Sequence, residues 1–218
     1  MARHGLLTND LASNRRWKFA GGKPIYRART MARSSRSTSP LTVILAIVVL
    51  ISAGVHAASV YFRKPIVPKE VEVFFSPKGG CTDAVVRELR HAQRSVWVQA
   101  YSFTNPDIAK GLVDAKKRGL DVKMILDKSQ LSEKYTEADF TAHAGIPTWI
   151  DAQHAIAHNK VMIIDGDTVI TGSFNFTRQA EDHNAENLLI IHKTPTLAEE
   201  YSKNWLEHQK HSDVYRGR

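Results

Sequence analysis

Cysteine is nearly absent from this 218-residue chain, where Cys81 stands alone. A single thiol forms no intramolecular disulfide and cannot build a cysteine-ligated zinc site. The chain also lacks an internal repeat. His154, His158, His183 and His192 form no metalloprotease-like helix pattern. Net charge is missing from most of the chain as well. Of 30 basic and 22 acidic side chains, nine basic ones and the single acid Asp10 lie in residues 1–57, a net of +8. The 21 of each sign that remain in 58–218 cancel. Bulk charge therefore carries no argument for nucleic-acid binding, and any such groove must come from local placement. Lys116-Lys117-Arg118 is one local cluster, but a Lys-rich helix end is already explained by the helix dipole.

Long apolar runs are also scarce, with one exception. Leu41 to Val55 carries no charge, follows Arg33 and Arg36, and precedes the small residues of His56-Ala57-Ala58-Ser59. A basic flank, a fifteen-residue apolar core and small residues at −3 and −1 (Val55 and Ala57) make a secretory signal peptide. Residues 31–57 are thus expected to direct export to the periplasm or beyond, with Met31 an alternative start and 1–30 a basic, disordered extension. The competing expectation is an uncleaved inner-membrane anchor, because counting on to Phe62 gives twenty-two residues. Residues 58–69, with Pro65 and Pro68, read as a linker.

From residue 70 the pattern alternates. Val71–Phe75, Ser95–Tyr101, Asp121–Leu126 and Thr148–Ile150 read as strands. Asp83–Ala92, Pro106–Lys117 behind an Asn105 cap, Glu133–Ala144 and Leu197–His211 read as helices. Alternating units predict an α/β sandwich with a mixed, mostly parallel sheet, flanked by helices and carrying one antiparallel hairpin. About 150 residues suffice for one core.

That hairpin holds the chemistry. Lys160–Ile164 and Thr168–Thr171 are β-branched, apolar runs around the turn signal Asp165-Gly166-Asp167. A two-residue loop at Gly166-Asp167 would pair Asp165 with Thr168, Lys160 with Ser173 and His158 with Asn175. Side chains alternate along a strand, so these four polar groups would share one face, and a one-residue slip would scatter them. A neutral imidazole can attack phosphorus and form a covalent intermediate. An ammonium and an amide beside it donate to the oxygens where charge builds. Glu186, at the polar end of the apolar run Leu188–Ile191, is of the right type to orient His158, although spacing alone does not bring the two together.

His158, Lys160 and Asp165 spell H-x-K-x-x-x-x-D, and Gly172, Ser173 and Asn175 spell G-S-x-N. In these motifs, and in the text from Ala100-Tyr-Ser-Phe-Thr104 to Glu186-Asn187, the chain resembles the small secreted bacterial endonucleases of the phospholipase D superfamily. The resemblance spans about residues 70–215. It implies a phospholipase D-like nuclease domain with catalytic residues His158, Lys160, Asp165 and Glu186. Phosphate would be bound by Lys160, Ser173 and Asn175, while Asp165 would act as a structural ion-pair and turn residue. It implies no cofactor and no metal. Larger members carry the motif twice, whereas here the other H-x-K, His208-Gln-Lys210, lacks the rest and reads as a helix surface. One motif per chain therefore implies a homodimer with its site at the two-fold interface. The expected substrate is nucleic acid, DNA ahead of RNA. The alternatives are a phosphatidyl hydrolase of the phospholipase D type and a non-catalytic, membrane-anchored nucleic-acid-binding module.

Overall fold

A computed structural model describes residues 39–61 and 70–218. The basic extension 1–30, the start of the leader and most of the linker lie outside the described residues. The chain divides into two units, 1–62 and 63–218. In the first, helix α1 runs Pro40–Tyr61. Among the described residues no helix is long and apolar enough to cross a membrane.

The second unit is built on an eight-stranded sheet in the order β1-β7-β6-β5-β2-β3-β4-β8. The strands are β1 Glu70–Ser76, β2 Ser95–Ala100, β3 Asp121–Asp127, β4 Thr148–Asp151, β5 Lys160–Ile164, β6 Thr168–Gly172, β7 Glu186–His192 and β8 Asp213–Tyr215. The helices are α2 Cys81–His91, α3 Pro106–Lys117, α4 Ala138–His143, α5 Arg178–Asp182 and α6 Pro195–Lys210. The α/β layering is as expected, but the strand balance is not. Only β2–β3 and β3–β4 pair in parallel, and the other five pairings are antiparallel. The hairpin forms the middle of the sheet rather than an appendage, because β5 pairs with β2 and β6 with β7.

Local chemistry explains the elements and one misreading. Asn105 caps α3 by accepting from the N–H groups of Asp107 and Ile108, with Pro106 at the first position. Arg118 donates to the carbonyls of Leu89 and Ala92 at the end of α2, so this member of the basic cluster is a cap. The helix expected over Glu133–Ala144 is shorter. Asp127 caps a 3-10 turn at Lys128–Leu131, and Thr136 Oγ1 accepts from Ala138 N. Glu137 N donates to Phe103 O, so it and Ala138 N are both drawn from the bonds a helix starting at Glu133 would make, and α4 starts only at Ala138.

Two apolar layers sandwich the sheet. On one face Met162, Ile164, Ile170, Leu188 and Ile190 pack with the helix residues Val85, Leu89, Ile108 and Leu112. On the other, Ile125, Val161, Ile163 and Val169 pack beneath Ala198 and Trp205 of α6. Trp205 is 1% exposed and donates its indole N–H to Val98 O at 2.9 Å. Truncation there opens a cavity and orphans an acceptor. Trp205→Ala is expected to cost about 3–5 kcal/mol in a urea melt, and a loss below about 1 kcal/mol would show that α6 is not anchored there.

Candidate active site

The hairpin register differs from the sequence expectation by one residue. Ile164 pairs with Thr168 and Ile163 with Val169, so the loop has three residues, Asp165–Asp167. The reason lies in Asp165. It adopts φ 53° and turns its carboxylate back onto the bend that leads from α2 into β2. There it accepts from Gln93 N (2.9 Å), Arg94 N (2.7 Å) and Ser95 N (3.0 Å). Asp165 thus sits at the turn end of β5, five residues from Lys160 and on the order of 16 Å away at strand rise. It lines no part of the cleft described next. Its carboxylate is held by backbone N–H groups, and the Arg94 guanidinium reaches its carbonyl oxygen rather than its carboxylate.

A one-residue slip should have scattered the polar set, yet it converges. Beyond the ladder, Ser173 N and Phe174 N both donate to Asn187 O, each at 3.1 Å, so two residues oppose one as in a β-bulge. The bulge resets the alternation. It needs glycine at 172, where φ is 145° and a Cβ would stand 2.3 Å from Asn187 O. His158, Lys160, Gly172, Ser173, Asn175 and Glu186 then line one solvent-open cleft of about 490 Å³. It lies on the α2–α3 side of the sheet, because Lys160 shares a face with Met162 and Ile164, and Glu186 with Leu188 and Ile190.

Each side chain is held by a neighbour. Lys160 is 7% exposed, donates to His158 O at 3.0 Å and lies 4.9 Å from the Tyr101 ring centroid. Among the described residues it makes no ion pair. Burial brings its amine down to about 8, against the opposing pull of the Glu186 and Asp127 carboxylates. His158 is exposed and packs against Tyr101 at a tilt of 56°, with ring centroids 4.6 Å apart. Ser173 Oγ accepts from Asn187 N (3.0 Å) and Asn187 Nδ2 (3.3 Å), which leaves its hydroxyl hydrogen to donate outward. Asn175 Oδ1 is buried without a donor among the described residues. Glu186 accepts from Asn184 Nδ2 at 3.1 Å, and no hydrogen bond joins it to His158.

Two contributors escaped the sequence reading. Tyr101, directly after β2, is the shelf for His158 and the ring above Lys160. Asp127, the last residue of β3, accepts from Ala157 N at 2.7 Å and so anchors the loop that carries His158. An aromatic and an acid at the ends of two core strands were the available signals. A second polar depression, lined by Asp83, Asp107, Glu181, Asp182 and Arg178, carries the wrong sign of charge for a phosphodiester.

Comparisons with known proteins place the chain in a family. Residues 85–208 match the family model described as cardiolipin synthase, PLD-like domain. A phospholipase D from Rickettsia typhi is 41% identical over 147 residues, covering 67% of this chain and 72% of that protein. The crystal structure of Nuc from Salmonella typhimurium, a phospholipase D family member, superposes with a TM-score of 0.66 at 41% identity. That match covers 68% of this chain and 99% of Nuc. A mitochondrial cardiolipin hydrolase from Xenopus laevis is 30% identical over 124 residues, 56% of this chain and 59% of that protein. The chain belongs to the phospholipase D superfamily. It is an enzyme acting on phosphodiester bonds.

With Lys160 at the anion site, its burial would make anion binding pH-dependent. The amine is cationic below about 8 and neutral above it, while a phosphodiester keeps one negative charge throughout. Affinity for a non-hydrolysable diester is therefore expected to fall as pH rises from 7 to 9, by up to about tenfold per unit once the amine is neutral. Lys160→Arg should flatten the decline. A profile that is flat in the parent protein would remove Lys160 from the anion site.

Proposed function

We propose that this protein is an exported, metal-independent endonuclease that hydrolyses nucleic-acid phosphodiesters through a covalent phosphohistidine. The observation that carries the reading is the cleft itself: a buried, unpaired ammonium beneath an exposed imidazole, ringed only by polar side chains and glycine. Among the described residues no apolar side chain lines it to receive an acyl chain. Export is supported by the basic flank and the apolar run at Leu41–Val55.

In the first step a ring nitrogen of His158 attacks phosphorus, a P–N bond forms and the P–O bond to the leaving nucleoside breaks. The leaving oxygen takes a proton from a general acid. In the second step the same group, now a base, takes a proton from water as the water oxygen attacks phosphorus, and the P–N bond breaks, its electron pair returning to the imidazole. Lys160, the outward-facing Ser173 hydroxyl and Asn175 would bind the non-bridging oxygens. Such preorganised donors are worth about 3–4 kcal/mol each in comparable oxyanion sites. Glu186, across the cleft, would stabilise imidazolium charge.

One chain supplies one imidazole, whereas the two steps need a nucleophile and a general acid. We assign the second role to His158 of a second copy of this chain, across a two-fold axis. The charge stabilisation comes from side chains, so turnover should not require added Mg²⁺.

A second reading has its own support, since the curated relatives are named phospholipase D and cardiolipin hydrolase. The full chain assayed on plasmid DNA, RNA, phosphatidylcholine and cardiolipin separates the two. DNA or RNA cleavage without lipid turnover is expected, and the reverse would transfer the activity to phosphatidyl esters. His158→Ala should lower turnover to below about a hundredth of the parent with an unchanged circular-dichroism spectrum. Higher retained activity would sink the nucleophile assignment.

The shared site predicts a dominant effect on mixing. After full subunit exchange, heterodimers of His158→Ala and parent chains should be nearly inactive. Activity that stays proportional to the parent fraction, or a fully active monomer in sedimentation, would replace the shared site with a one-chain mechanism.

A further inference from the structure

Three imidazoles converge on one buried carboxylate outside the cleft. Asp151, the last residue of β4, is 0% exposed. Its Oδ2 lies 2.6 Å from His208 Nδ1, 3.1 Å from His154 Nδ1 and 3.5 Å from His211 Nε2. The three rings are mutual neighbours, with centroids 4.9, 5.3 and 5.3 Å apart. One ligand atom from each of the four residues lies within 4.8 Å of all the others. The helix makes this possible: His208 and His211 are three apart at the end of α6 and therefore share a face. His154 comes from the β4–β5 loop.

Hydrogen bonding to Asp151 accounts for one imidazole more readily than for three. Rings packed this closely either share positive charge or turn lone pairs toward one another, and a bound cation relieves both. The donor set selects the ion. Three imidazole nitrogens and one carboxylate, without sulfur, suit zinc and its first-row neighbours. Calcium and magnesium want shells dominated by oxygen. Bonds of about 2.0–2.1 Å place tetrahedral ligand atoms about 3.3 Å apart, and the separations from Oδ2 run from 2.6 to 3.5 Å. Four protein ligands would close the shell, as in structural rather than catalytic zinc sites.

We propose that Asp151, His154, His208 and His211 form a structural zinc site that staples the end of α6 to the loop carrying His158. That loop leaves Asp151, is held at the His154 carbonyl by Lys128 Nζ (2.9 Å) and at Ala157 N by Asp127, and then reaches His158. A metal at its root would remove conformational freedom from the segment that positions the imidazole, without touching the substrate. None of the four ligands lines the His158 cleft. The site would stand whichever phosphodiester is the substrate.

The test uses the full chain, stripped with a chelator and titrated with Zn²⁺ by calorimetry, with Mg²⁺ and Ca²⁺ as comparison ions. About one Zn²⁺ per chain is expected, with a raised melting temperature and slowed amide exchange at residues 152–158. His208→Ala/His211→Ala should abolish both binding and the melting shift, whereas His158→Ala should retain them. If the double variant does not fold, His154→Ala at the exposed side of the site should still weaken binding at least about tenfold. Absence of stoichiometric binding, binding lost with His158→Ala but not with the ligand variants, or exchange unchanged at 152–158 would overturn the site. A failure of this kind leaves the His158 chemistry standing, and inactive His158 chemistry leaves zinc binding intact, so the two outcomes are separable.

Discussion

The Asp165 carboxylate accepts three backbone N–H groups, from Gln93, Arg94 and Ser95, and the centre of the sheet is arranged around that grip. The bonds tie the tip of the β5–β6 hairpin to the start of β2. With Asp165 N donating to Ser95 O, they set the offset between the two strands. That offset pairs Ala100 with Lys160, so Lys160 begins its strand beside the end of β2 and under Tyr101. A residue at one end of β5 therefore decides what stands at the other. Each such bond is worth only about 1 kcal/mol net, but a strand has two faces, and a slip of one residue would turn Lys160 away from the cleft.

The site combines a rigid floor with a looser rim. Lys160, Ser173 and Asn175 rise from the sheet or its bulge, while His158 rides on a loop. The loop is pinned by Asp127 through one backbone N–H and leaves β4 at Asp151. Burial lowers the affinity of Lys160 for its proton, and a bound phosphodiester would restore it, so the cation is strongest when substrate is present. The Ser173 hydroxyl follows the same logic. Both of its acceptor positions face Asn187, and its hydrogen is the part left for a ligand.

The strands, the apolar periodicity and the Asn105 cap were legible because they are local: alternation and capping involve residues a few positions apart. The strand directions were not: a mostly parallel sheet was expected and five of the seven pairings are antiparallel, because direction depends on where β5 inserts, and only its pairing with β2 decides that. The helix at Glu133–Ala144 failed for a related reason. Thr136 Oγ1 and the Phe103 carbonyl take the N–H groups of Ala138 and Glu137, a competition that periodicity does not register. Asp165 shows a mixed case, its turn geometry being readable from Asp-Gly while its hold on residues 93–95 was not.

By itself the sequence determined the residue types of the site, their order along one hairpin and the family that follows from them. His158, Lys160, Ser173 and Asn175 are close in the chain, and short-range chain geometry keeps close residues close. Tertiary structure alone decided that they converge despite a shifted register, through a bulge that depends on the carbonyl of Asn187. It also decided that His208, which reads as part of a solvated helix surface, turns to Asp151 instead. Fifty-seven residues separate that pair, and the packing of α6 on the sheet brings them together. Contacts of that span are set by which apolar faces bury against each other, and no local spacing encodes them.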